Sequence, residues 1–133
     1  MIGDYKPGRY NMGTKLAMRM VLLFVLFLAI AAIIYLLTTN YSLLLLKQPL
    51  PHWIALLCFV PILFAIENLS QAYLRFSTGY ATRGIYDFAG TSGEQGEVKR
   101  AEDHQFDMKI AMKIHRYCIM TAIVLTLIIY FAI

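Results

Sequence analysis

An uninterrupted apolar run, MVLLFVLFLAIAAIIYLL at residues 20–37, limits this chain more than any other feature. Its eighteen residues carry no charge, and as a helix they extend about 27 Å, close to the hydrocarbon thickness of a bilayer. Two further blocks repeat the theme: WIALLCFVPILFAI from Trp53, and YCIMTAIVLTLIIYFAI at 117–133. The 59% hydrophobic content exceeds the roughly 45–50% of soluble proteins, and it is gathered into these blocks rather than spread evenly. The pattern predicts an all-α integral membrane protein with three transmembrane helices.

The segments follow from the breaks. Residues 1–19 form an N-terminal segment, with Lys15 and Arg19 standing just before the first span at 20–38. A signal peptide would have a shorter apolar core and a small-residue cleavage site. Here the long run leads into TTNYS, which reads as an uncleaved anchor. Residues 39–52 make an external loop, in which LLLL at 43–46 either extends the first helix or lies in the interface. Pro49 and Pro51 then stop any helix. The second span, 53–74, opens on Trp53, whose amphipathic ring suits a membrane–water boundary. Pro61 predicts a kink there, because it withholds an N–H from the Leu57 carbonyl and crowds it.

Residues 75–116 are the longest polar region. AGTSGEQGE at 89–97 reads as a mobile turn. From Glu97 to Tyr117 no breaker occurs, and Phe106, Ile110 and Ile114 recur every four residues beside a Met108/Met112 line. That spacing predicts a cytoplasmic amphipathic helix continuous with the third span, 117–133.

The basic residues orient the chain. Lys6, Arg9, Lys15 and Arg19 precede the first span, seven more lie in 75–116, and Lys47 alone falls between the first and second spans. Eleven against one places the N-terminus in the cytoplasm and the C-terminus outside, most readily in a bacterial inner membrane. The same count excludes a nucleic-acid surface: within 75–116 the seven bases meet six acids, leaving no net positive stripe. Lys109, Lys113 and Arg116, in contrast, are placed to meet anionic lipid headgroups.

The polar cluster in FAIENLSQAYLRF, residues 64–76, is the main site candidate. Glu67, Gln71 and Arg75 are four apart and would share a helix face, with Asn68 beside them. The leading expectation is that the helix leaves the bilayer here, Glu67 reaching headgroup water and Arg75 snorkelling. The alternatives are a buried Glu67 paired with a base on a partner, or a transport or proton role. Phe106, Ile110 and Ile114 complete the candidate partner-binding residues. Their bland alternative is packing on their own chain or on lipid.

Other chemistry finds little support. His104 and Asp107 have a usable ligand spacing, but His115 is about 16 Å along the helix from His104. Cys58 and Cys118 lie in apolar blocks without metal-ligand spacing and read as small hydrophobes. NYS at Asn40 and NLS at Asn68 match the glycosylation pattern but sit at the membrane and at its opposite ends. No catalytic or nucleotide-binding motif occurs, and Glu67 and His115 are the best acid–base candidates left. No metal, cofactor or catalytic residue is assigned. All eight glycines fall outside the spans, so broken-helix carrier sites are not expected. These features together point to a non-enzymatic subunit or assembly factor of a larger membrane complex, such as secretion, conjugation, respiratory or transport machinery. It would contact lipid and other integral membrane subunits or copies of itself. The alternative is a homo-oligomeric, holin-like pore lined by Glu67, Asn68 and Gln71.

Overall fold

The computed structural model describes residues 4–40 and 50–133. The LLLL stretch, Lys47, Pro49 and most of the external loop therefore lie outside the described residues. The chain is mostly helical. Helix α1 runs Thr14–Thr39; a 3-10 segment, His52–Cys58, leads into α2, Phe59–Leu74; α3 is short, Thr78–Arg83. Strands β1, Ile85–Asp87, and β2, Gln95–Glu97, precede the long α4, Ala101–Ala132. Three helical stretches are long and apolar enough to cross a membrane: Thr14–Thr39, His52–Leu74 and Ala101–Ala132.

The fold is not purely α. β1 and β2 pair antiparallel, with Ile85 opposite Glu97, Tyr86 opposite Gly96 and Asp87 opposite Gln95. The hairpin takes the first residues of the predicted amphipathic helix, so α4 starts at Ala101, where Glu102 and Asp103 complement the positive end of the helix dipole. From there it continues without a break through residues 113–117, as the sequence predicts.

The turn 89–97 does work that its composition conceals. The first amides of a helix have no intrahelical acceptors. In α1 they are met by this turn and the end of β1 before it: Gly13 N donates to the Asp87 carbonyl at 2.8 Å, Lys15 N to the Ala89 carbonyl at 2.9 Å and Thr14 N to Thr91 Oγ1 at 2.9 Å. Gly13 is required by that approach, since a Cβ there would lie 2.5 Å from the Phe88 carbonyl carbon. The expected mobile turn is thus the cap of the first long helix.

In the second span the break falls between Cys58 and Phe59, where 3-10 gives way to α-helix. Pro61 occupies the third position of α2, where a missing N–H disturbs least. α2 packs on both α1 and α4. The buried residues along these contacts are largely small: Ala31, Cys58 and Ala122 with Ile62 in one cluster, and Ala17 and Ala72 with Met12 in another. Small side chains let helix backbones approach closely, a role often taken by glycine in membranes.

A folded cap closes one end of the three long helices. It is built from residues 4–13, α3, the hairpin and the first turns of α4. Phe76 and Phe88 are fully buried in it, each worth roughly 1.5–3 kcal/mol relative to exposure in water. Asn11, also fully buried, clasps Ser77: its Nδ2 donates to the Ser77 carbonyl at 2.9 Å, and its Oδ1 accepts from Ser77 N at 2.6 Å. Asp107 holds the N-terminal segment by accepting from the Tyr5 hydroxyl and from Gly8 N, both at 2.6 Å.

Candidate functional site

The polar residues of α2 turn inward. Glu67 is buried, and its Oε1 lies 2.7 Å from Nδ1 of His115 on α4, forty-eight positions along the chain. Gln71, one turn on, donates Nε2 to Glu67 Oε2 at 3.1 Å. Its own Oε1 accepts from Thr78 N at 2.9 Å and from Thr78 Oγ1 at 3.1 Å. A continuous polar chain therefore runs from the start of α3 through α2 to α4.

Its two ends differ in access. The His115 side chain is 47% exposed and that of Glu67 only 12%. A cavity of about 370 Å³ borders the pair, walled by Leu63, Phe64 and Ile119 and carrying Asn68 and Gln71 as well. Nδ1 can donate to the carboxylate as the neutral tautomer or as the imidazolium. In either form His115 supplies the donor that a buried carboxylate needs, and its other ring nitrogen remains for exchange. The arrangement can hold a proton between an accessible imidazole and an occluded carboxylate. The Cys118 thiol lies one turn from His115, its sulfur 3.7 Å from Ser70 Oγ. Among the described residues no group of three or more His, Cys, Asp or Glu side chains is placed to hold a metal.

Arg75 does not share the face of Glu67 and Gln71. It ends α2 in the left-handed conformation, φ 57° and ψ 38°, which turns the chain out of the helix. The i, i+4 spacing stops applying once the helix stops. Arg75 instead borders a groove between α1 and α2. Asn68 is partly buried and donates Nδ2 back to the Phe64 carbonyl at 2.7 Å.

The predicted stripe on α4 is divided. Ile114 is buried against Phe76, Ala81 and Ala111, with Ile110 packed on the same cluster. Phe106 lies against Gly8, where a Cβ would come within 2.3 Å of its ring. These contacts are with the chain itself, and the inward face of α4 is Asp107, Ala111, Ile114, Cys118, Ala122 and Thr126. The hydrophobic count picks out Phe106 because it ignores Asp107, whose burial depends on partners nearly a hundred residues away. Lys109, Lys113 and Arg116 are all exposed. His104 contacts the Thr82 carbonyl at 3.3 Å, while Asp107 is occupied by Tyr5 and Gly8.

Residues missed by sequence reasoning are Thr78, Asn11 and Tyr5. The usable signal for His115 was its place at the entry to an apolar span, where an ionisable group needs a partner. The Tyr5 hydroxyl is pushed well above the usual tyrosine range, first by burial and then by its hydrogen bond to Asp107. Comparison of the chain with protein-family models, with curated proteins and with solved structures found no match.

Proposed function

We propose that the chain is a small, non-enzymatic subunit or assembly factor that docks side-on within a larger membrane complex. In this reading its N-terminus and cap are cytoplasmic, its C-terminus is external, and the membrane is a bacterial inner membrane. One observation carries the proposal: the buried polar groups of α2 are bonded within the chain, and the outward faces of the apolar stretches carry large hydrophobic side chains. Glu67 is taken by His115 and Gln71, and Gln71 by Thr78. On α1 only Ala17, Ala31 and Thr38 are buried, while residues such as Leu22, Val25, Leu26 and Ile33 face outward. Such a bundle encloses little polar volume for a substrate path, but offers long surfaces for lateral packing.

The alternative of a homo-oligomeric pore draws less support, because Glu67 and Gln71 already face their own chain. Purification of the intact chain in mild detergent tests the two. Defined, unlike partners are expected. A single-component ring whose conductance disappears in Glu67→Leu would replace the subunit reading with the pore. A reporter fused after Ile133 should be external, and a cytosolic reporter would overturn the orientation.

A further inference from the structure

Arg75 has a buried nitrogen with nothing to bond. Its Nη1 is removed from solvent and has no hydrogen-bond partner in the described structure. Nor does the guanidinium belong to either ion pair found among the described residues, Arg100–Glu102 and His115–Glu67. Withdrawing a guanidinium nitrogen from water without an anion is costly, and because Nη1 is enclosed by the chain itself, a negative charge would offset that cost by meeting the rest of the guanidinium.

The space beside it specifies that partner further. Arg75 stands at the end of a groove of about 400 Å³, the size of a small-molecule site. Met18, Val21 and Leu22 of α1 and Leu69 and Tyr73 of α2 form its walls, which are almost wholly apolar. Tyr73 is 85% exposed at the rim, so its hydroxyl is available as a further donor. Lys15 and Arg19, both exposed on the same end of α1, add positive charge to this end of the molecule. An anion joined to a hydrocarbon chain meets both requirements at once.

We propose that this groove binds an anionic glycerophospholipid, one acyl chain lying between α1 and α2 and the phosphate meeting the Arg75 guanidinium. The site uses a charge complementarity that a zwitterionic lipid satisfies less well, because its own ammonium opposes Arg75. It depends on the chain lying in a bilayer and not on the subunit role. A protein that proves to have no partners could still carry it.

The backbone offers a clean test. Arg75 is the only non-glycine residue with positive φ among those described, and glycine favours that conformation. Arg75→Gly therefore removes the guanidinium while easing the local backbone, so loss of binding cannot be ascribed to a broken turn. The full-length protein would be exchanged into nanodiscs of equal dioleoyl phosphatidylglycerol and dioleoyl phosphatidylcholine, and its retained lipid read by native mass spectrometry. Wild type should keep phosphatidylglycerol over phosphatidylcholine by about fivefold, the factor one basic group near an anionic surface supplies. Arg75→Gly should bring the ratio close to one, and Arg75→Lys should restore most of it. Leu69→Trp, which fills the groove and leaves the charge, should lower total retained lipid.

An unchanged ratio in Arg75→Gly would overturn the proposal. So would loss of preference in Lys113→Gln alone, which would move the site to the separate groove bordered by Arg9, Lys113 and Ile114. Recovery of a lipid-free dimer would assign the groove to a second copy of the chain and overturn it too.

Discussion

The two ends of the helix bundle are held together by different physics. At the capped end, side chains from distant parts of the sequence hydrogen-bond across elements: Asn11 with Ser77, Asp107 with Tyr5 and Gly8, and Thr91 with Thr14. At the opposite end, the threonines Thr38 and Thr39 bond within their own helix, to the Ile34 and Tyr35 carbonyls. Contacts between elements there include His52 Nε2 with the Tyr130 carbonyl at 2.6 Å and the Cys58 thiol with the Ala31 carbonyl at 3.7 Å. Thr126 Oγ1 is buried there with no partner among the described residues. With the long helices in a bilayer, as proposed, water would reward burial of Phe76 and Phe88, whereas hydrocarbon is as apolar as leucine and would reward close packing of Ala31, Cys58 and Ala122 instead. The contrast teaches that the polar cap secures which helix stands beside which, and that small side chains secure how closely they approach.

The sharpest way to break this contrast is Asp107→Ala. It leaves the Tyr5 hydroxyl and Gly8 N without their acceptor and opens a hole in a fully buried place. The expected loss is about 2–4 kcal/mol of cap stability, as for leaving two neutral donors without their acceptor. It should register as faster hydrogen exchange across residues 4–13 with little change in 118–132. Equal acceleration in both regions would refute the separation of the two ends.

Asn11→Ala comes next. It removes two side-chain bonds and strands the Ser77 amide in a buried site, while the Ser77 carbonyl keeps the Ala81 N–H, for about 2 kcal/mol. Limited proteolysis should then cut near residue 77 sooner than in wild type.

The other end should respond with the opposite sign. Thr126→Val replaces an unsatisfied hydroxyl with a methyl group of similar shape and should be neutral or stabilising by about 1 kcal/mol. A lower unfolding midpoint in detergent would mean that the hydroxyl has a partner in the working state.

The smallest effect is one of pH. Tyr5 has its pKa raised in the folded chain, so the folded state holds this proton more tightly than the unfolded state. Its contribution is fully present below about pH 10, the unfolded tyrosine value, and declines as pH rises beyond it. Because Tyr5 is only half-buried, the loss should be modest and confined to residues 4–13. Tyr5→Phe should abolish this alkaline component of the exchange profile. If the component persists in Tyr5→Phe, another group is responsible.

Much of the architecture was readable from local features. The length of an apolar run and the lack of breakers between Ala101 and Ala132 are properties of neighbouring residues, and they suffice for three long helices and for the continuity of α4. The hairpin was not readable: its strands have three residues each and no alternation of apolar and polar side chains to announce them. Nor was the direction of Arg75, which depends on a helix ending at Leu74 instead of one turn later.

For the candidate site, the sequence by itself determined the ingredients. A carboxylate within an apolar helix and a histidine at the entry to another must each be solvated or paired, because bare polar groups are not tolerated in hydrocarbon. Only the tertiary structure decided that they meet each other. Glu67 and His115 come together because α2 and α4 pack at one rotation and one depth, held by Ala111, Ile114 and Cys118 beneath them and by the Gln71–Thr78 link above. Rotation and depth belong to the pair of helices, and neither helix carries them alone.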